Sequence, residues 1–267
     1  MKSAKRETLC LGRTSSGADL DMSILESPAS MLLTGITRSG KTNELYNLID
    51  QLRALELPVM VAGIDPSGII FNAIGESLGG SEFRVSTLSD VQSVRAVLNH
   101  LVDIMDERIK ILLKSKRDKF MAVDYTPVRP FIIVLLEEFP GMMAVIATDD
   151  AANARKPIDR IEPKIRASVQ RIAMEGTKVG VTLWVVAQRA DAAILSGPLR
   201  AQLPRKISFR QDSDGLRMIH TDITPEQIQQ AQTFKPGQAY AEFVGELPLT
   251  RFRADYLPYE KFVARFE

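Results

Sequence analysis

Met31-Leu32-Leu33-Thr34-Gly35-Ile36-Thr37-Arg38-Ser39-Gly40-Lys41-Thr42 decides the fold. Its last eight residues match G-x-x-x-x-G-K-[ST], a loop whose small residues let backbone N–H groups wrap a phosphate chain. A chance match in a chain this long is on the order of one percent, from residue frequencies. The flanks sharpen the reading. Met31 to Thr34 is a short apolar run that predicts a buried strand before the loop. Leu45, Leu48, Ile49 and Leu52 recur at helical spacing after it, which predicts a helix from about Thr42 to Leu55. A loop so placed sets a phosphate at a helix N-terminus, where the backbone dipole favours an anion. Lys41 then supplies positive charge to the β- and γ-phosphates, and Thr42 a hydroxyl to Mg2+. Gly35, Thr37, Arg38, Ser39 and Gly40 form the cradle, with Asn43 at its edge, so ATP and Mg2+ are the expected ligand and metal.

The rest of the chain supplies a sheet for this loop. Val59 to Ile64 reads as a second buried strand, ended by Asp65-Pro66-Ser67-Gly68. Val91 to about Lys116 is a long amphipathic helix with Val94, Leu98, Leu101, Met105, Ile109 and Leu112 as its apolar stripe. Phe131 to Leu136 lacks polar alternation, as a strand covered on both faces should. Residues 148–166 are polar and charged, a helix runs through Val169 to Met174, and Leu183 to Ala187 and Lys206 to Phe209 complete the strands. This alternation predicts an α/β fold of the P-loop NTPase type, with a mostly parallel, doubly wound central sheet. Residues 1–30 read as an N-terminal β segment turning at Ser15-Ser16-Gly17. A core spans 31–245, and 246–267 is a C-terminal tail; short β additions are thus expected at both ends.

A P-loop needs a metal-side carboxylate at the end of a neighbouring buried strand, and Phe131 to Leu136 runs into Glu137-Glu138. The first would hold the Mg2+ shell, through water, and the second would polarise the water that attacks the γ-phosphate. Gln188 ends the strand Trp184-Val185-Val186-Ala187. Its amide can sense the γ-phosphate or orient the water, and a capping or loop role fits its spacing equally well. The expected activity is ATP hydrolysis.

Composition limits the partners. The chain has 267 residues, 45% hydrophobic and 25% charged, with a net charge of +1. No global basic field attracts nucleic acid, so a DNA contact must come from a local patch. Arg155, Lys156, Arg160, Lys164 and Arg166 form one such cluster and Lys114, Lys116, Arg117 and Lys119 another. The interleaved Asp149, Asp150, Asp159 and Glu162 keep open the alternative of a solvated charged segment. No stretch approaches the ~20 apolar residues of a membrane span. The chain is therefore expected to lack a membrane segment of its own, and attachment would need a membrane-bound partner. A single cysteine, Cys10, excludes an internal disulfide and suits a reducing, cytoplasmic setting. His100 and His220 show no metal spacing and read as packing or surface residues.

Beyond the loop, the residues resemble the motor domain of the FtsK/SpoIIIE family of DNA translocases, over about 9–245. Ile64-Asp65-Pro66 is similar to the family's strand-ending Asp-Pro, and Ile104-Met105-Asp106-Glu107-Arg108 to its Glu-Met-Glu-Arg-like helix. Glu137-Glu138-Phe139-Pro140-Gly141-Met142-Met143 resembles Asp-Glu-Phe-Ala-Asp-Met-Met, and Val179 to Leu183 with Val186 to Arg189 resembles the strand that ends Ala-Thr-Gln-Arg. Gly215-Leu216-Arg217-Met218-Ile219 resembles Ser-Arg-Thr-Ile-Leu. The resemblance implies a RecA-like ATPase motor over 31–245 that assembles as a homo-oligomeric, hexameric ring and translocates double-stranded DNA, in DNA transfer, segregation or packaging. It also implies a cation reaching the neighbouring subunit's nucleotide. Thr177-Lys178 replaces the family's Ala-Arg or Gly-Arg pair, which leaves Arg171, Lys178 and Arg217 as candidates. Arg155, Lys156 and Arg160 are the candidate DNA contacts. Glu137 stands where the family has Asp, one methylene longer. Two other readings are open: a ring ATPase that moves protein, as in secretion, and an ATP-dependent switch or assembly protein with slow hydrolysis.

Overall fold

The computed structural model describes residues 8–25, 28–189 and 195–267. β1 (Thr8–Thr14) and β2 (Asp19–Ser23) pair antiparallel around the expected turn, where Gly17 takes φ 83° and its N–H donates to Thr14 O at 3.0 Å. β3 (Met31–Thr34) is buried throughout and passes through the glycine loop into α1 (Lys41–Leu52), whose Leu45, Leu48, Ile49 and Leu52 face the core. β4 (Val59–Ile64) ends at Asp65, a fully buried carboxylate that organises the next turn. Asp65 accepts from the Ser67 hydroxyl at 2.7 Å and from the N–H groups of Ile70 and Phe71, and so starts α2 (Ile69–Ile74).

β5 (Arg84–Val85) precedes α3 (Val91–Lys114), which Asp90 caps by accepting from Gln92 N–H at 2.9 Å. Within the α3 stripe Arg108 is buried as well. Its guanidinium donates to Val179 O at 3.0 Å, Gly180 O at 3.4 Å and Pro130 O at 2.7 Å, which ties α3 to the starts of two strands. These are β6 (Phe131–Leu136), followed by α4 (Phe139–Ala152) and α5 (Ile161–Glu175), and β7 (Val181–Ala187). The remaining elements are α6 (Gly197–Ala201), β8 (Arg205–Phe209), α7 (Ser213–Ile219), α8 (Pro225–Gln232), β9 (Gln238–Phe243), β10 (Leu247–Arg253) and α9 (Tyr259–Val263).

The chain divides into two compact units, Met1–Leu57 with Val186–Glu267, and Pro58–Val185. In the second unit every pairing is parallel, in the order β7-β6-β4-β5, and β6 and β7 are buried at every position. That is why their sequences are almost continuous apolar runs, interrupted only by Thr182 in β7. In the first unit the order is β2-β1-β10-β9-β8-β3. β3 and β8 are parallel, while the strands contributed from both ends of the chain are antiparallel. The segments read as 1–30 and 246–267 therefore meet, since β1 pairs with β10. The helix α4 runs from Phe139 into the polar, charged stretch 148–166, and α5 begins at Ile161, ahead of the expected Val169.

Candidate nucleotide site

In the first unit the glycine loop is fixed by its backbone. Ile36 N–H donates to Arg210 O at 2.8 Å, Ser39 N–H to Ile36 O at 3.2 Å, and Gly237 N–H to Ser39 O at 2.9 Å. Gly35 and Gly40 take φ 146° and 119°, and each lies against a neighbour. A Cβ on Gly35 would stand 2.7 Å from Phe209 Cβ and from Ser39 Oγ, and one on Gly40 2.8 Å from Gly237 N. Only glycine fits either place. Gly40 precedes α1 and offers no side-chain cap, and the start of a helix is where an anion is favoured.

The side chains in the loop are arranged to meet an anion. Lys41 is 8% exposed, and its Nζ donates to Gly35 O and, at 3.2 Å, to Ile36 O. A phosphate oxygen is a stronger partner for an ammonium than a neutral carbonyl is. Ser39 Oγ is buried with no hydrogen-bond partner among the described residues, an orphan that a phosphate oxygen would satisfy. Thr37, Arg38 and Thr42 are exposed, and Arg38 is held at φ 63°. Thr37 Oγ1 donates to Gln188 Oε1 at 3.2 Å, so the structure brings these two predicted residues together. Thr42 stands exposed in the first turn of α1, and the chemistry of the loop fits a phosphate chain.

Asn43 and Glu44 add what the sequence does not disclose. The Asn43 amide donates to Asp255 O at 2.6 Å and its carbonyl accepts from Leu257 N–H at 2.9 Å, while Asn47 also donates to Asp255 O. Tyr46 stacks on Phe262 with centroids 4.6 Å apart. Glu44 is fully buried in α1; burial lifts its carboxyl well above the usual carboxylate range, with Asn47 opposing the rise and Asp255 adding to it.

In the second unit Glu137 and Glu138 leave the end of β6 half-buried, and Glu137 N–H donates to Ile64 O at 2.9 Å. Glu138 sits at φ 46°, ψ 48° and, with Glu137, turns the chain from β6 into α4. For a residue with a Cβ this left-handed conformation costs about 1–2 kcal/mol. Strain of this kind concentrates at functional positions, where the surrounding structure holds it.

The cations read from sequence stand in different settings. Arg171, on α5, is gripped by Asp106 at 2.7 and 3.2 Å and by Glu175 at 3.2 Å; these bonds hold its proton more tightly still. Lys178 and Arg217 are exposed. Arg155 donates to Asp149 and, at 2.9 Å, to Asp150, whereas Lys156 and Arg160 are exposed. Asp150 also accepts from Ile161 N–H and Glu162 N–H, each at 2.9 Å, and so caps α5. Burial alone would raise the Asp150 carboxyl, but these N–H groups and Arg155 together bring it below its usual value. The charge of Arg155 is thus engaged in the fold. Sequence reasoning also passed over His220, which lies buried between Ser208 and Glu242. The three are far apart in the chain, and no spacing rule joins them.

A strand, a backbone-wrapped glycine loop, a buried lysine and a helix define a P-loop NTPase. A family model described as the FtsK/SpoIIIE family matches residues 2–175. The chain belongs to this family. It is 23% identical over 217 residues to a DNA translocase FtsK of Oceanobacillus iheyensis, covering 76% of this chain and 25% of that protein. The chain thus spans about a quarter of the length of this curated relative. Among solved structures it is similar to the pCW3 conjugation coupling protein TcpA, a monomer form with ATPγS, at TM-score 0.71 and 19% identity over 97% of this chain and 68% of that one. It is also similar to the cytoplasmic domain of the type VII secretion ATPase EccC of Thermomonospora curvata, at TM-score 0.73 and 20% identity over 98% and 31% of the two chains. Among the described residues no helix is long and apolar enough to cross a membrane.

Proposed function

We propose that this chain is an ATP-hydrolysing motor that moves double-stranded DNA as part of a homo-oligomeric ring. The observation that supports it most is the Lys41 ammonium folded onto the carbonyls of its own loop, beside the orphan Ser39 hydroxyl. Both are satisfied by a triphosphate. Loop N–H groups and Lys41 would hold the phosphates, the Thr42 hydroxyl would be the loop's ligand to Mg2+, and the Glu137 carboxylate would serve the metal's shell. Bound there, the metal neutralises charge on the phosphates. Glu138 takes the proton of the attacking water, and Thr37 and Gln188 orient that water. Of Arg171, Lys178 and Arg217, one completes the pocket of the next subunit. Lys156 and Arg160 contact DNA phosphates, with Arg155 holding the turn before them through Asp149 and Asp150.

Turnover measured with and without duplex DNA tests this reading. Lys41→Ala is expected to lose nucleotide binding, and Glu138→Gln to bind ATP while turnover falls at least ~100-fold. DNA is expected to raise wild-type turnover, steeply less so as salt is added, because phosphate contacts release counterions. Turnover indifferent to DNA would move the substrate from DNA to protein, or the chain from motor to switch.

A further inference from the structure

His220 lies in the middle of a chain of polar groups that leads from the surface to the base of the glycine loop, all within the first unit. It is 1% exposed. Its Nδ1 stands 2.6 Å from Glu242 Oε2 and its Nε2 2.8 Å from Ser208 Oγ. Ser208 Oγ stands 3.3 Å from Thr34 Oγ1, which accepts from Gln211 Nε2–H at 3.1 Å. Thr34 is the last residue of β3, directly before Gly35, and Arg210, directly before Gln211, accepts the N–H of Ile36. The two ends of the relay segment thus hold the loop from either side. Acid, imidazole and hydroxyl are ordered as in a nucleophilic triad, but Ser208 is fully buried and no substrate reaches it.

The donors in this chain have a fixed direction. Ionised Glu242 only accepts, so Nδ1 carries a hydrogen. With neutral His220, Nε2 accepts from the Ser208 hydroxyl, Ser208 Oγ accepts from the Thr34 hydroxyl, and Thr34 Oγ1 accepts from Gln211. A proton on Nε2 makes it a donor to Ser208 Oγ. The Ser208 hydrogen must then turn to Thr34 Oγ1. The Thr34 hydrogen is left to Ile207 O, at 3.5 Å, the edge of a hydrogen bond. One proton reverses two hydroxyls and weakens the bond nearest the loop.

We propose that His220 is a positioning residue for the glycine loop, acting through Ser208 and Thr34, and that its protonation lowers nucleotide affinity. This rests on the reading of the loop as the nucleotide site. Burial holds the His220 imidazole below the usual histidine value; Glu242 on β9 pulls the other way, and Lys206 on β8 adds to the lowering. Lys206 Nζ stands 3.9 Å from Glu242 Oε2. The charged side chains of α7, α8 and the turn between them, Asp214, Arg217, Asp222 and Glu226, are exposed. The neutral form, with the relay intact, is therefore the resting state at neutral pH, and the effect grows as pH falls below the ordinary histidine range.

The test is ATP affinity across about pH 5.5 to 8 for the wild-type chain, His220→Gln and Ser208→Ala, with the ligand's own protonation common to all three. Toward the acid end the wild type is expected to lose about three- to tenfold relative to His220→Gln, the net weight of one hydrogen bond. Ser208→Ala is expected to lose that excess while His220 still titrates in the NMR spectrum, where it is told from His100, the only other histidine. By linkage, bound ATP is expected to lower the midpoint of the His220 titration in the wild type. Identical pH dependence in all three proteins, or an unmoved His220 titration, overturns the proposal. Wild-type chain that binds no ATP even at pH 8 overturns the reading of the loop, and this inference with it. Binding at pH 8 with no His220-dependent loss overturns the inference alone.

Discussion

Glu138 joins a strained backbone to a proposed chemical role, so one position tests both. Glu138→Ala removes the carboxylate but keeps a Cβ at φ 46°, ψ 48°. Glu138→Gly removes the carboxylate and the steric clash together. Both variants lose the same charge at the start of α4, so their difference isolates the backbone term. The left-handed penalty is about 1–2 kcal/mol, and the extra freedom of unfolded glycine takes back about 0.5–1. At mid-range the glycine variant is left more stable by about 0.75 kcal/mol. For a chain of this size that is about 1.5–3 °C in the melting midpoint. Thermal unfolding followed by circular dichroism reads the difference, and an ATPase assay on the same samples reads the chemistry. We expect Glu138→Gly to melt above Glu138→Ala while both lose turnover at least ~100-fold. A glycine variant that melts no higher than the alanine variant refutes the strain argument. Either variant hydrolysing ATP at the wild-type rate refutes the role of the carboxylate.

Glu137→Ala is expected to raise the Mg2+ concentration needed for half-maximal turnover, while Glu137→Asp keeps a carboxylate and is tolerated; an unchanged Mg2+ titration in the alanine variant removes Glu137 from the metal shell. Arg171→Ala, Lys178→Ala and Arg217→Ala should separate, with at least one losing turnover at retained ATP affinity and partly regaining it when mixed with Glu138→Gln. Arg171→Ala should also melt lower, by the modest weight of exposed ion pairs to Asp106 and Glu175, and three fully active variants would count against shared sites. Glu44 gives a pH signature: its raised folded-state value means that the unfolded chain gives up a proton the native chain keeps, so stability falls as pH rises above the ordinary glutamate value of 4.5. Glu44→Gln lacks that slope, and its melting advantage over wild type should widen from about pH 5 to about pH 8; a constant gap would mean that Glu44 ionises normally.

Much of the fold was legible because it rests on local pattern. Val59–Ile64 and Phe131–Leu136 are bounded in the structure as the apolar runs suggested, since a strand buried on both faces strongly favours apolar residues at every position. The start of α4 was hidden because Pro140 and Gly141 are the poorest helix formers. Proline is compatible with the first turn of a helix, and the left-handed Glu138 supplies the bend that makes a helix possible there. The glycine loop announced itself, because phosphate binding needs glycine at fixed spacing. The meaning of the charge cluster did not. Arg155 and Asp150 are five residues apart, yet whether they pair or face solvent depends on where α5 begins. The contacts of His220 with Ser208 and Glu242 span 12 and 22 residues and follow from the pairing of β8 with β9, which sequence periodicity does not specify.

The Asn43 amide has a mechanical consequence. Asn43 stands directly after Thr42, yet both ends of its amide are committed to Asp255 and Leu257, 212 and 214 residues further along the chain. Asn47, one turn on, grips the same Asp255 carbonyl, and Tyr46 between them is stacked on Phe262. The first turns of α1 and the segment from Asp255 to Phe262 thus behave as one stiff part assembled from remote stretches of chain. Neither can rotate or slide without the other unless these bonds break first, so any displacement felt at the phosphate end of α1 reaches the far end of the sequence without passing through the residues between.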